Sequence, residues 1–229
     1  MARSNWHKQL LSFATSNTNR TYKKGEIIIF QGEAPRHAYL IVSGVVKAYN
    51  LSLDGDEKPV AFYSEQDIFP APWILSQVAS STYYHEAFTK DTKLAVVDRD
   101  QLMSLIRSDK DLLASLYDRQ IKIQLAQSMH INALQYSRAS DKLIYALHFL
   151  ILNLGIKHSP TELELPINFT HQDLANLTGL TRETTAMELN KLKRSGVISY
   201  GTQQPYKLHL AKLAALINDQ YISSLTESI

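Results

Sequence analysis

The chain has 229 residues, 45% of them hydrophobic and 20% charged, enough for one large domain or two modest ones. It holds no cysteine, which excludes a disulfide scaffold, a cysteine nucleophile, a zinc finger and a thiolate-held iron–sulfur cluster. Lys and Arg number 24 against 22 Asp and Glu, so a polyanionic partner would have to be met by a local patch.

The start, through Trp6-His7-Lys8, lacks the apolar core of a secretory signal, and no apolar run approaches a membrane span. A cytoplasmic protein is expected. From about residue 22 to 98, short β-branched and aromatic runs alternate with turn residues. Ile27-Ile28-Ile29-Phe30 ends at Gln31-Gly32, Ala38-Tyr39-Leu40-Ile41-Val42 at Ser43-Gly44, and Val45-Val46-Lys47-Ala48-Tyr49 leads to Asp54-Gly55. Further runs start at Val60, Tyr83 and Leu94. Strands this short, at this spacing, describe a small sandwich or barrel.

Past Asp100 glycine vanishes until Gly155 and the period becomes helical. Leu113, Leu116, Gln120, Ile123, Gln127, His130 and Leu134 step by three and four, the seam of a paired helix over about 109–137. A second helix is predicted over 141–154, and a short strand over 162–167. The expected domains are therefore 1–108, a dimerisation helix 109–137, and 138–229.

Thr170-His171-Gln172-Asp173 has the form of a capped helix start, with Asp173 reaching back to Thr170. Leu174, Ala175 and Leu177 give that helix an apolar face, and Thr178-Gly179-Leu180 breaks it. Thr181 caps a second helix over 182–194, after which the runs from Val197 and Tyr206 read as a hairpin. Two short helices about a glycine turn, followed by a hairpin, make a winged helix-turn-helix. Arg182 and Glu183 stand where such a helix meets base edges, and Met187 one turn later offers apolar contact to a thymine methyl. Thr170, His171, Gln172, Thr181, Thr184 and Lys191 are the expected phosphate contacts. Double-stranded DNA is the expected partner.

The run from Phe169 to Ile198 resembles the cyclic-AMP receptor protein/FNR (Crp/Fnr) superfamily of bacterial transcription regulators. Tyr22-Lys23-Lys24-Gly25-Glu26 through Glu33, and Tyr39 through Lys47, are similar to that family's β-roll. The resemblance implies an α+β chain: a cyclic-nucleotide-binding-like β-roll, a long dimerising helix and a C-terminal winged helix. It further implies a homodimer on a near-palindromic site, with RNA polymerase as a further partner.

Where the family's cyclic-AMP receivers carry Gly-Glu and Arg-Ser, this chain has Pro70-Ala71 and Ser81-Thr82. A buried cyclic phosphate would lack its cation and the ribose its acceptor, so cyclic AMP is not expected as effector. Trp73, Tyr83, Tyr84 and His85, closed by Gln127 and Ser128 of the long helix, could line a pocket for a less charged effector or fill it outright. No metal or other cofactor is expected. The competing reading is a cyclic-nucleotide-fold sensor acting mainly through protein contacts, favoured by a near-neutral C-terminal half. An enzyme is not expected, because no phosphate loop, nucleophile elbow, HExxH or paired-carboxylate motif occurs.

Overall fold

The computed structural model describes residues 5–217 apart from 77, 202 and 203. Its contacts divide the chain into two compact units, Met1–Ile121 and Lys122–Ile229. The division falls inside the long helix of the chain. No helix among the described residues is long and apolar enough to cross a membrane.

In the first unit, helix α1 (Asn5–Ser16) leads into two four-stranded antiparallel sheets. One runs β1 (Thr18–Tyr22), β8 (Thr92–Val97), β3 (Ala38–Ser43), β6 (Ile68–Phe69); the other runs β2 (Ile27–Ile29), β7 (Tyr84–Ala87), β4 (Val46–Leu51), β5 (Glu57–Tyr63). Helix α2 (Ala71–Leu75) lies between β6 and β7, and α3 (Arg99–Ser108) and α4 (Lys110–Gln135) follow β8. Asp98 starts α3 by accepting from the amides of Asp100 and Gln101.

Strand alternation gives the first sheet two apolar faces. Ala38 and Leu40 of β3 join Ala95 and Val97 of β8 in a core with Leu10 and Ala14 of α1, Leu102 and Ile106 of α3, and Leu112 and Leu116 of α4. Tyr39 points the other way, its ring 5.2 Å from Phe69. The Phe69 ring also lies 6.1 Å from Tyr63 and 5.3 Å from His85, both of the second sheet, so the sheets close over interleaved rings. Each fully buried Val, Leu, Ile or Phe side chain among these contributes on the order of 1.5–3 kcal/mol. Strand β1 is exposed along nearly its whole length and pairs with β8 from Thr18↔Val96 to Tyr22↔Thr92. Its polar residues carry no alternation that the sequence could show.

The second unit is built on α5 (Ala139–Leu154), which is buried on every side from Leu143 to Ile151. A helix apolar all round belongs at the centre of a domain. Helices α6 (His171–Thr178) and α7 (Arg182–Arg194) pack on it. A sheet in the order β11 (Ile198–Gly201), β12 (Gln204–His209), β10 (Glu162–Glu164), β9 (Ile156–Lys157) completes the unit with α8 (Leu210–Ala214). Strand β10 stops before Pro166, short of the predicted 167, because proline has no ladder donor.

Two interior histidines give the protein an acid limit. His85 donates from Nδ1 to Ser81 Oγ at 3.3 Å, and His148 from Nδ1 to the Ile144 carbonyl at 3.2 Å. Burial pushes both rings down from the ordinary 6.5 to about 4. In the unfolded chain both take up protons near 6.5. Stability is therefore level above about 6.5 and falls with pH from there to about 4, at up to about 1.4 kcal/mol per pH unit for each ring. Denaturant unfolding at pH 7.5, 6 and 5 should show midpoints dropping in step; a flat series would contradict the neutral assignment.

Candidate nucleic-acid interface

The helix-turn-helix forms as its residues dictate. Thr170 Oγ1 accepts from the Asp173 amide at 3.1 Å while the Asp173 carboxylate accepts from the Thr170 amide at 2.8 Å, a closed capping box. Gly179 ends α6 at φ +66, a left-handed conformation that side chains resist, and a Cβ there would meet nothing within 4 Å. Conformation, not crowding, calls for glycine at this turn. Thr181 then caps α7 by accepting from the Thr184 amide at 3.2 Å. Thr185, Leu189 and Leu192 are buried, which fixes the rotation of α7 about its axis.

The opposite face of α7 is open. Arg182, Glu183, Met187, Asn190 and Arg194 are exposed, and Arg182 and Glu183 form no side-chain hydrogen bond or ion pair among the described residues. Asn190 is absent from the sequence-predicted contacts. It stands one turn past Met187, and an amide there can pair bidentately with adenine. Extending the helical step 183, 187, 190, 194 would have found it.

The predicted phosphate contacts are more constrained. The Thr170 hydroxyl donates to Asp173 Oδ2 at 2.7 Å, and that of Thr181 to Thr184 Oγ1 at 3.0 Å. Each hydroxyl has one proton, so neither can donate to a phosphate without leaving its present partner. Gln172 Nε2 donates to Asn176 Oδ1 at 2.8 Å, and Lys191 Nζ lies 2.6 Å from Glu188 Oε1. Lys193 is held over the Tyr200 ring at 4.7 Å and donates to the Tyr200 carbonyl at 2.8 Å, which ties α7 to the hairpin. The His171 ring meets Tyr200 edge-on at 6.0 Å.

The predicted helix seam divides in two. Leu116, Ile123 and His130 are buried in the chain's own interior, so the row of Leu113, Leu116, Gln120, Ile123, Gln127, His130 and Leu134 is not one open face. The open row is displaced by one position at alternate steps. It runs Leu113, Tyr117, Gln120, Gln124, Gln127, Ile131, Leu134, again in steps of four and three, with Gln120 and Gln127 half-buried and the rest exposed. Leu113 is 50% exposed, Tyr117 66%, Ile131 60% and Leu134 44%. An amphipathic helix with apolar residues on both sides offers two phases to the same arithmetic, and burial selects between them.

Within the first unit the predicted effector lining divides between two faces of the roll. Tyr84 and His85 are neighbours on β7, so alternation puts them on opposite faces. Tyr84 stacks on Tyr49 at 5.3 Å, whereas His85 stacks on Phe69. Trp73 on α2 lies under the Arg99 guanidinium at 5.4 Å. Tyr83 offers its carbonyl to the buried Ser81 hydroxyl at 2.7 Å. Gln127 and Ser128 belong to the second unit, where the Ser128 hydroxyl bonds the Gln124 carbonyl of its own helix at 3.0 Å.

One charged pair in the first unit escaped the sequence reading. Arg119 of α4 sends Nε and an Nη to the two carboxylate oxygens of Asp67, each at 2.6 Å. Asp67, just before β6, is buried and also accepts from the Ser64 amide at 2.8 Å. The pair spans 52 residues, so no local spacing announces it.

Residues 19–109 match the family model of the cyclic nucleotide-binding domain, and residues 143–218 that of the Crp-like helix-turn-helix domain. The chain is similar to the cyclic AMP receptor protein of Thermus thermophilus, 27% identical over 185 residues and covering 80% of each chain. It is 28% identical over 180 residues to the global nitrogen regulator of Synechococcus elongatus, covering 78% of this chain and 80% of that one. Among solved structures, FixK2 from Bradyrhizobium japonicum matches with a TM-score of 0.70 at 24% identity, over 89% of this chain and 98% of that one. At that identity the likeness is one of fold.

Proposed function

The chain belongs to the Crp/Fnr superfamily of transcription regulators, and we propose that it acts as a homodimer that reads a near-palindromic DNA site without control by cyclic AMP. The observation that carries the reading is the outer face of α7, where Arg182, Glu183, Met187 and Asn190 stand exposed on a helix whose other face is fixed by packing. Arginine reads guanine, glutamate the cytosine amino group, and methionine the thymine methyl. Phosphates would be met by the first-turn amides of α6 and α7, with His171 and Lys191 beside them.

The exposed row from Leu113 to Leu134 supports pairing with a second copy. Its three central glutamines favour one register over greatest stability. Two α7 helices about such a dyad would enter successive major grooves roughly 34 Å apart. RNA polymerase is the further partner this reading assigns, by analogy with the family. Against cyclic AMP stand Ala71, which offers no acceptor, and Arg119, whose guanidinium is already neutralised by Asp67. The Ser81 hydroxyl is bonded within the chain, and Phe69, Tyr63 and His85 pack ring on ring in the roll interior.

The test is selection of duplexes from a random pool by the purified protein, with and without cyclic AMP. The expected result is one enriched palindrome, the same in both arms, bound with a steep salt dependence. No enrichment in either arm would favour the sensor that works through protein contacts. Enrichment only with cyclic AMP would overturn the effector assignment.

A further inference from the structure

The last carbonyls of a helix have no partner within it, and a buried carbonyl needs one. In α6 the Ala175 carbonyl accepts from the amides of Gly179 and Leu180, within the turn itself. The Leu177 carbonyl is met from another helix: His130 Nε2, on α4, lies 2.7 Å away. A carbonyl only accepts, so the imidazole donates. The His130 ring is buried and stacks on Phe149 of α5 at 4.7 Å and 26°. Three helices of one unit thus meet at a single side chain, two residues before the left-handed Gly179 that sets the angle between α6 and α7.

We propose that His130 is a positioning residue for DNA recognition, a cap that α4 supplies to the end of α6 and that holds the helix-turn-helix at its reading angle. The inference rests on the DNA-binding reading above. The sequence places His130 in the dimer seam; the geometry makes it the joint between the helix that carries the seam and the helices that carry the contacts. The bond ties the Leu177 carbonyl to the face of α4 that carries His130. Burial holds the imidazole below its ordinary range, so near neutral pH the ring is uncharged and carries its proton on Nε2. The joint is a plain hydrogen bond, and its direction is set.

The chemistry separates position from bulk. Leucine is close to histidine in volume but donates nothing, glutamine can place an amide N–H near where Nε2 stands, and asparagine is one methylene too short. The wild-type protein, H130L, H130Q and H130N should be compared on the duplex that wild type selects from a random pool and on a scrambled duplex, with thermal unfolding alongside. H130L should lose affinity for the selected duplex by about tenfold, the loss expected when one base contact is misplaced, while the orphaned carbonyl itself lowers the unfolding temperature. Its affinity for the scrambled duplex should change much less, because non-specific binding rests on charge and not on the fit to base edges. H130Q should recover most of the loss and H130N should not.

Equal selectivity in wild type and H130L, or equal losses in H130Q and H130N, would overturn the proposal. If H130L does not fold, the glutamine–asparagine comparison decides alone. If wild type selects no duplex, the DNA-binding reading fails first, and the two failures stay distinct.

Discussion

Asp67→Asn should lower the unfolding free energy by about 3 kcal/mol. Breaking a buried ion pair by removing one partner costs roughly 3–5 kcal/mol, because the other charge is left behind without compensation. The Asp67 side chain is 5% exposed, while that of Arg119 keeps 24% of its surface in solvent, which places the loss at the low end of that range. Asparagine presents one acceptor where Arg119 now finds two, and sets an amide N–H against the guanidinium. Removing both charges together, as in D67L with R119M, should restore much of the stability, since a well-packed apolar pair often equals a buried ionic one. Urea unfolding followed by tryptophan fluorescence, with Trp73 as a reporter in the roll, is the measurement. A loss below 1 kcal/mol for D67N would show the pair to be as weak as an exposed one.

Arg182→Ala should remove preference at one base pair in each half-site. A bidentate arginine–guanine contact is worth roughly 1–3 kcal/mol of discrimination, hence about 2–6 kcal/mol over a dimeric site. The side chain is exposed at the first turn of α7 and holds nothing else in place, so the folded unit should be unaffected. Thr170→Ala behaves differently, since its hydroxyl serves the capping box. The variant should lose about 1 kcal/mol of stability and weaken all duplexes alike. Competition binding with single-base variants of the selected duplex checks both. A uniform loss across all duplexes for R182A would move the arginine from reading bases to holding the backbone.

What could be read in advance was whatever has a local cause. The bounds of α7 follow from Thr181 before it and Ser195-Gly196 after it, and the structure keeps them at Arg182–Arg194. The capping box needs only Thr170 and Asp173 three residues apart. Non-local features were lost for physical reasons. A polar edge strand such as β1 has no period, and α4 has two apolar rows whose phases differ by one residue. Tyr84 and His85 are adjacent in sequence, and the alternation of β7 sends them to different partners. The Asp67–Arg119 pair and the His130 cap each join elements far apart along the chain, where spacing carries no signal.

Because α5 is buried on every side from Leu143 to Ile151, solvent can reach the amides of that stretch only when the second unit opens. The exposed side chains of α7 reorient freely, on the nanosecond scale of surface rotamers. The angle between α6 and α7 is another matter: both helices lean on α5 and α6 is tied to α4 through His130, so in the native protein it does not change without breaking that packing and that bond. Fast local adjustment and slow global opening leave little between them. The reading head therefore meets DNA as a rigid body, fitting base edges by side-chain rotation and not by reshaping its turn.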